Sequence, residues 1–153
     1  MINHTPASLT IEHEQLHAEL TRATREPGAL GEAAYAVARV LHEHFAKEEK
    51  FAMPPLGLLS KLAWGAPTPD MVPMLELTRK LKAELPQMLL EHKEIVASLE
   101  RFRSRARDAA REDYVRFADA LILHAQTEEE VLYPAAVLVG EFLELKLGDH
   151  APA

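Results

Sequence analysis

The 153-residue sequence has no cysteine. That excludes disulfides, thiolate zinc sites and cysteine-held iron–sulfur clusters, and it fits a reducing cytoplasm as the expected location. Aromatic residues are scarce at 6%, while Ala, Leu and Glu dominate, a composition that favours helix over sheet. Basic charge is also in deficit. A net charge of −7 argues against a nucleic-acid surface or an anionic-membrane surface. Long hydrophobic runs are missing: the longest, Val131 to Val139, contains Pro134 and is too short to span a bilayer. The opening Met1-Ile-Asn-His-Thr-Pro has neither a charged n-region nor an apolar h-region, so no signal peptide is expected. What remains, at 48% hydrophobic and 27% charged, is the usage of a single domain able to bury a substantial core.

The hydrophobic period predicts four long amphipathic helices. The first runs over about 8–25, capped by Ser8 or Thr10, with Leu9, His13, Leu16, His17 and Leu20 as its inner stripe. Pro27-Gly28 turns the chain, and a second helix covers about 30–52, with Ala34, Val37, Leu41, His44, Phe45 and Glu48 facing inward. Pro54-Pro55 stops it. Residues 54–70 form a long, proline-rich connection, in which Leu58, Leu59, Leu62 and Trp64 suggest a short helical turn over one end of the bundle. Leu56, Leu58, Leu59 and Trp64 serve equally well as an interface. A third helix spans about 71–107 and is expected to bend or break near Pro86. The fourth covers about 111–133, with Asp108 or Glu112 near its start, and is disturbed by Pro134 before a short helix over about 137–147. The architecture that follows is all-α: an antiparallel up-down-up-down four-helix bundle.

His124 and Glu128 are four residues apart, about 40° from each other on one helical face. The apolar positions on that face are Tyr114, Phe117, Leu121, Val131, Leu132 and Ala135. A carboxylate there is aimed at the core, where an unpaired charge costs several kcal/mol, roughly. The arrangement occurs twice. His44-Phe-Ala-Lys-Glu48-Glu49-Lys-Phe-Ala-Met53-Pro54 matches His124-Ala-Gln-Thr-Glu128-Glu129-Glu-Val-Leu-Tyr133-Pro134 in the His, the Glu-Glu pair and the Pro. Upstream of each copy stands another inner His: His13 precedes His44 by 31 residues, and His92 precedes His124 by 32. This is an internal duplication of a helix pair. Of each Glu-Glu pair, spacing favours Glu48 and Glu128 as the inward members.

A lone His on an apolar face is usually a hydrogen-bonded core residue, but four inner His and two inner Glu converging from four helices are a metal-site pattern. Imidazole nitrogen with carboxylate oxygen, and no thiolate, suits iron, manganese or zinc. Two carboxylates can bridge a pair of cations, whose charge offsets the cost of burying them.

The segments IEHEQL, HFAKEEKFAMP, EHKEIV and HAQTEEEVLYP resemble the hemerythrin-like, or HHE cation-binding, family over nearly the whole chain, from about Leu9 to Pro134. The resemblance implies two iron ions, oxo- or hydroxo-bridged, in a four-helix bundle, with Mn or Zn as substitutes. It carries the ligand pattern over to His13, His44, Glu48, His92, His124 and Glu128, with Glu48 and Glu128 bridging. One departure stands out. Oxygen-carrying members have a fifth His one turn from the ligand His of the third helix, and here that position is Val96. His17, one turn after His13, is the alternative fifth imidazole. Glu12, Glu91 and Tyr133 are candidates for the layer around the ligands, although a solvated face for the two carboxylates and simple packing for Tyr133 are the plainer readings. His42 points about 200° from His44 and belongs at the surface, while His4 and His150 fall in the tails.

The expected function is that of a non-haem di-iron protein binding a small diatomic, O2 or NO, for sensing, scavenging or stress response. The alternatives are a di-iron enzyme (oxidase, peroxidase or NO-reducing) that uses Glu12 or Glu91 for proton delivery, or iron storage and donation.

Overall fold

A computed structural model describes residues 5–148. His4 and His150 lie outside the described residues. Among these residues every element is helical. The bundle is built from α1 (Ala7–Thr24), α2 (Gly28–Lys47), α4 (Met74–Asp108) and α5 (Glu112–Thr127). α5 continues through a turn at Glu128–Leu132 into α6 (Tyr133–Leu147). Helices consecutive around the bundle pack on one another, and α1 closes the ring against α5. No described helix is long and apolar enough to cross a membrane.

α1 begins without a side-chain cap. The expected Ser8 or Thr10 cap is replaced by the Pro6 carbonyl, which accepts from the backbone N–H groups of Leu9 and Thr10. Ser8 and Thr10 are then already inside the helix. Gly28, the first residue of α2, has φ +69°, and glycine adopts this left-handed value without the Cβ penalty. At the neighbouring turn, on the same end of the bundle, α4 ends in a Schellman motif. The N–H of Arg111 donates to the Ala106 carbonyl at 2.8 Å, and that of Ala110 to Arg107 at 3.0 Å. Asp108 therefore closes α4, and Glu112 and Asp113 supply the acidic first turn of α5.

At the two prolines expected to interrupt helices, the chain stays helical. α4 is one unbroken helix through Pro86. The missing N–H leaves the Lys82 carbonyl unpaired, but both residues lie on the exposed face, where water can take that bond. Likewise the fourth bundle helix does not end near 133. Before each of Pro54 and Pro134 the chain makes one π turn, Glu48–Ala52 and Glu128–Leu132. In these turns the N–H of Met53 donates to the Glu48 carbonyl, and that of Tyr133 to the Glu128 carbonyl. A proline ring clashes with the carbonyl four residues back. Widening the preceding turn to i→i+5 relieves that clash and lets the helix run on.

The extra residue shifts the helical phase. Val131, expected on the inner face, is 56% exposed. Tyr133, which the α period places about 180° from His124, is carried into the core and is 3% exposed.

The core is layered along the bundle axis. One layer packs Leu20, Val37, Leu41, Phe45, Ile95, Leu99, Phe102, Phe117 and Leu121. A second packs Phe51, Leu56, Leu81, Met88, Tyr133 and Ala136, and a third joins Leu58, Met71, Met74, Leu75, Val139 and Leu143. The connection between α2 and α4 is built of short helical pieces, including α3 (Leu59–Trp64), and buries Leu56 and Leu58. Trp64, expected to cap the bundle, is 91% exposed, and Leu59 also faces outward. The inner His and Glu residues lie between the first two layers.

Candidate metal centre

Each of the four bundle helices delivers one imidazole to the same level. His13 comes from α1, His44 from α2, His92 from α4 and His124 from α5, and all four are buried. Glu48 and Glu128 enter at the first residue of each π turn. The spacing argument chose correctly within each pair: Glu48 is 0% exposed, whereas the Glu49 side chain is 62% exposed.

The six residues form two groups that share both carboxylates. One is His13, His124, Glu48 and Glu128, and the other is His44, His92, Glu48 and Glu128. Within each, one ligand atom per residue lies within 4.8 Å of the rest, and each group could hold a metal ion. The carboxylate oxygens divide between them. Glu48 turns Oε1 to His44 Nε2 at 2.8 Å and Oε2 to His13 Nε2 at 3.4 Å. Glu128 turns Oε1 to His92 Nε2 at 3.5 Å and Oε2 to His124 Nε2 at 3.4 Å. One oxygen toward each His pair is how a carboxylate bridges two cations.

The donor set fits metal ions. His13 Nε2, His124 Nε2, Glu48 Oε2 and Glu128 Oε2 are buried and have no hydrogen-bond partner among the described residues. Buried polar atoms are nearly always paired, and stranding one costs roughly 1–3 kcal/mol. Four of them converging on one point is the signature of a cation cradle. In the other group the Tyr133 hydroxyl stands among the donors. It donates to Glu48 Oε1 and lies 3.1 Å from His44 Nε2 and 3.2 Å from His92 Nε2.

Electrostatics mark the same spot. Burial alone would push the Glu48 carboxyl up, but hydrogen bonds from His44 and His92 hold it well below the ordinary carboxylate range. Glu128 goes the other way, raised by burial and by the neighbouring Glu48 charge. Burial works against a charged imidazole. Even so, the carboxylates lift His92 to about 10 and His124 to about 9, and they raise His44. His13 is lowered, chiefly by burial. Burial and the Glu48 and Glu128 charges also keep the Tyr133 phenol protonated far above its usual range. Three of the four imidazoles are thus biased toward the charged form by the buried carboxylates beside them.

Three of the four imidazoles are backed at Nδ1 by an outer carboxylate from a neighbouring helix. Glu91 Oε1 lies 2.9 Å from His44 Nδ1, Glu129 Oε1 is 2.9 Å from His92 Nδ1, and Glu12 meets His124 Nδ1. Glu49 is farther from His13, at 3.7 Å. Such partners fix the tautomer that leaves Nε2 free to ligate. Glu12 and Glu91 are therefore not idle surface residues, and the sequence reading, which weighed Glu49 and Glu129 only as possible inward members, did not give them this role. The signal was present, because each Glu-His and Glu-Glu pair keeps its place in both copies of the repeat.

His17 does not join the cluster. It is exposed, because the inner stripe of α1 is centred on His13, Leu16, Leu20 and Ala23. His17 lies about 80° off that centre. His42 is exposed, as expected.

Fold and cradle together define a helical bundle with a paired histidine–carboxylate core. Residues 4–136 match the hemerythrin HHE cation binding domain, and the chain belongs to that family. Comparisons with curated proteins and with solved structures gave no match.

Proposed function

We propose that the protein holds two iron ions through His13, His44, His92, His124, Glu48 and Glu128, and takes up a small diatomic, O2 or NO. The role would be sensing, scavenging or defence against oxidative or nitrosative stress. The observation that carries this reading is the division of each carboxylate, one oxygen toward each histidine pair, around four buried polar atoms without partners. Nitrogen and oxygen donors without thiolate suit iron, with Mn or Zn as substitutes. When bound, the iron pair supplies redox and ligand-binding chemistry. The chain's own residues hold it, balance its charge and surround it with apolar layers that exclude water. Titrating anaerobic ferrous protein with NO tests the proposal. A stoichiometric spectral change supports it, and none at full iron occupancy would sink it.

A second reading is turnover as an oxidase, peroxidase or NO reductase. Glu91 favours it, since it touches His44 on one side and Lys47 Nζ at 2.6 Å on the other, so it links the cradle to the outer face. Glu12 does the same at His124 from an exposed position. Turnover that falls in Glu91→Leu at unchanged metal content would favour the enzyme.

A further inference from the structure

The two halves of the cradle are not alike. The internal repeat sets Met53 and Tyr133 at matching positions, each five residues after a bridging Glu and just before the proline. A thioether thus stands in one copy where a phenol stands in the other. The π turn brings the phenol into the core, and the three polar atoms its hydroxyl meets are all cradle atoms: Glu48 Oε1, His44 Nε2 and His92 Nε2. The chain's other tyrosines are engaged elsewhere. Tyr35 is exposed, and the Tyr114 hydroxyl donates to Glu26 at the far end of the bundle.

We propose that Tyr133 is itself a metal ligand, binding as phenolate to the ion held by His44 and His92. This rests on the metal-binding reading above and adds a seventh ligand to it. The distances carry the argument. Two ligands at right angles, each about 2.1 Å from one cation, stand about 3.0 Å apart. The Tyr133 oxygen is 3.1 Å and 3.2 Å from the two imidazole nitrogens. A cation bonded to both nitrogens can therefore take this oxygen as a further ligand without moving the ring, which is held in a core layer with Met88, Leu81 and Ala136. Coordination replaces the O–H bond with an O–metal bond. The proton now given to Glu48 passes to solvent, and the metal keeps its oxidation state. The cation's own charge reverses the local preference for the neutral phenol.

The result is an unequal pair. The His44/His92 half has five protein donors, counting one oxygen each from Glu48 and Glu128, and the His13/His124 half has four. An anionic oxygen ligand favours the ferric state of the first, and the second keeps more positions for an incoming small molecule.

The test is spectroscopic. Wild-type protein loaded with iron in air should bind about two irons per chain. It should show a visible phenolate-to-iron(III) charge-transfer band, with tyrosine ring modes in the resonance Raman spectrum excited within it. Tyr133→Phe should lose band and modes while keeping both irons, whereas Tyr35→Phe and Tyr114→Phe keep them. If Tyr133→Phe loads iron poorly, ring-deuterated tyrosine in the wild-type chain decides: modes that shift support the ligand. Two irons with no phenolate modes, or a band that survives Tyr133→Phe, overturns this proposal alone. No iron at all overturns the metal-binding reading along with it.

Discussion

Glu91 Oε1 lies 2.9 Å from Nδ1 of His44, and the other oxygen of the same carboxylate holds Lys47 Nζ at 2.6 Å. The imidazole is thereby gripped from behind, with Nε2 facing Glu48. Burial opposes charge on Glu91, yet the hydrogen bonds from Lys47 and His44 keep its carboxyl below the ordinary value, so it is an anion when a metal arrives. Glu91→Gln keeps the shape and removes the charge. We expect metal affinity to fall about 10–100-fold, the usual effect of losing such a partner. Competition against a chromophoric chelator measures it, with helix content by circular dichroism as the control. Unchanged affinity would show that the contact does nothing for the site.

Glu48 and Glu128 belong to both ligand groups, whereas each histidine belongs to one. Removing a shared group should therefore cost more metal than removing an unshared one. After desalting, Glu48→Ala is expected to retain well under one metal ion per chain, and His13→Ala about one, held by the His44/His92 half. Equal losses in the two variants would mean that the carboxylates do not bridge.

At the other end of the bundle Glu26 accepts from the Tyr114 hydroxyl at 3.1 Å and pairs with Arg111 at 2.9 Å. The Arg111 hydrogen bond first, and that of Tyr114 second, hold its carboxyl below the ordinary value of 4.5. A depressed native pKa contributes stability that is present above the unfolded value and is lost as pH falls through the folded one. The stability difference between wild type and Glu26→Gln should therefore be constant near neutrality and shrink below about pH 4.5. Chemical denaturation across pH 3–7 reads it directly. A difference independent of pH would assign the effect to packing.

The six inner residues were legible because they ride on long α segments, where a spacing of four holds its meaning over several turns. His44 to Glu48 and His124 to Glu128 both lie before the π turns, so their phase is undisturbed. Tyr133 and Val131 lie beyond or within one, and the α period assigns each the wrong side. Pro134 is the visible cause, since the sequence announces a disturbance there, but it does not say whether the helix ends or widens. Pro86 posed the same question and was answered by exposure, a tertiary property. Which outer carboxylate backs which imidazole depends on how neighbouring helices are rotated, which a single-helix reading does not contain. His17 failed for a smaller reason: an inner stripe has edges, and 80° is outside this one.

Ala110, two residues past the end of α4, lies in the left-handed region at φ 55° and is the one residue other than glycine with positive φ among those described. Its place in the Schellman motif is the position that glycine usually fills, because an L side chain there crowds the backbone at a cost of roughly 1–2 kcal/mol. Ala110→Gly removes that strain and gives back part of the gain as unfolded-chain entropy, roughly 0.4–1 kcal/mol. The balance is an expected rise in stability of about 0.5–1 kcal/mol, with metal content unchanged, because the turn lies a full core layer away from the histidines. Urea denaturation of the metal-free protein provides the measurement, since bound metal would add its own linkage to the result. A loss of stability would mean that the Ala110 methyl makes a contact worth more than the strain it causes. Ala110→Val separates the two, because a β-branched side chain in this conformation should destabilise in either case, and more than the glycine change stabilises.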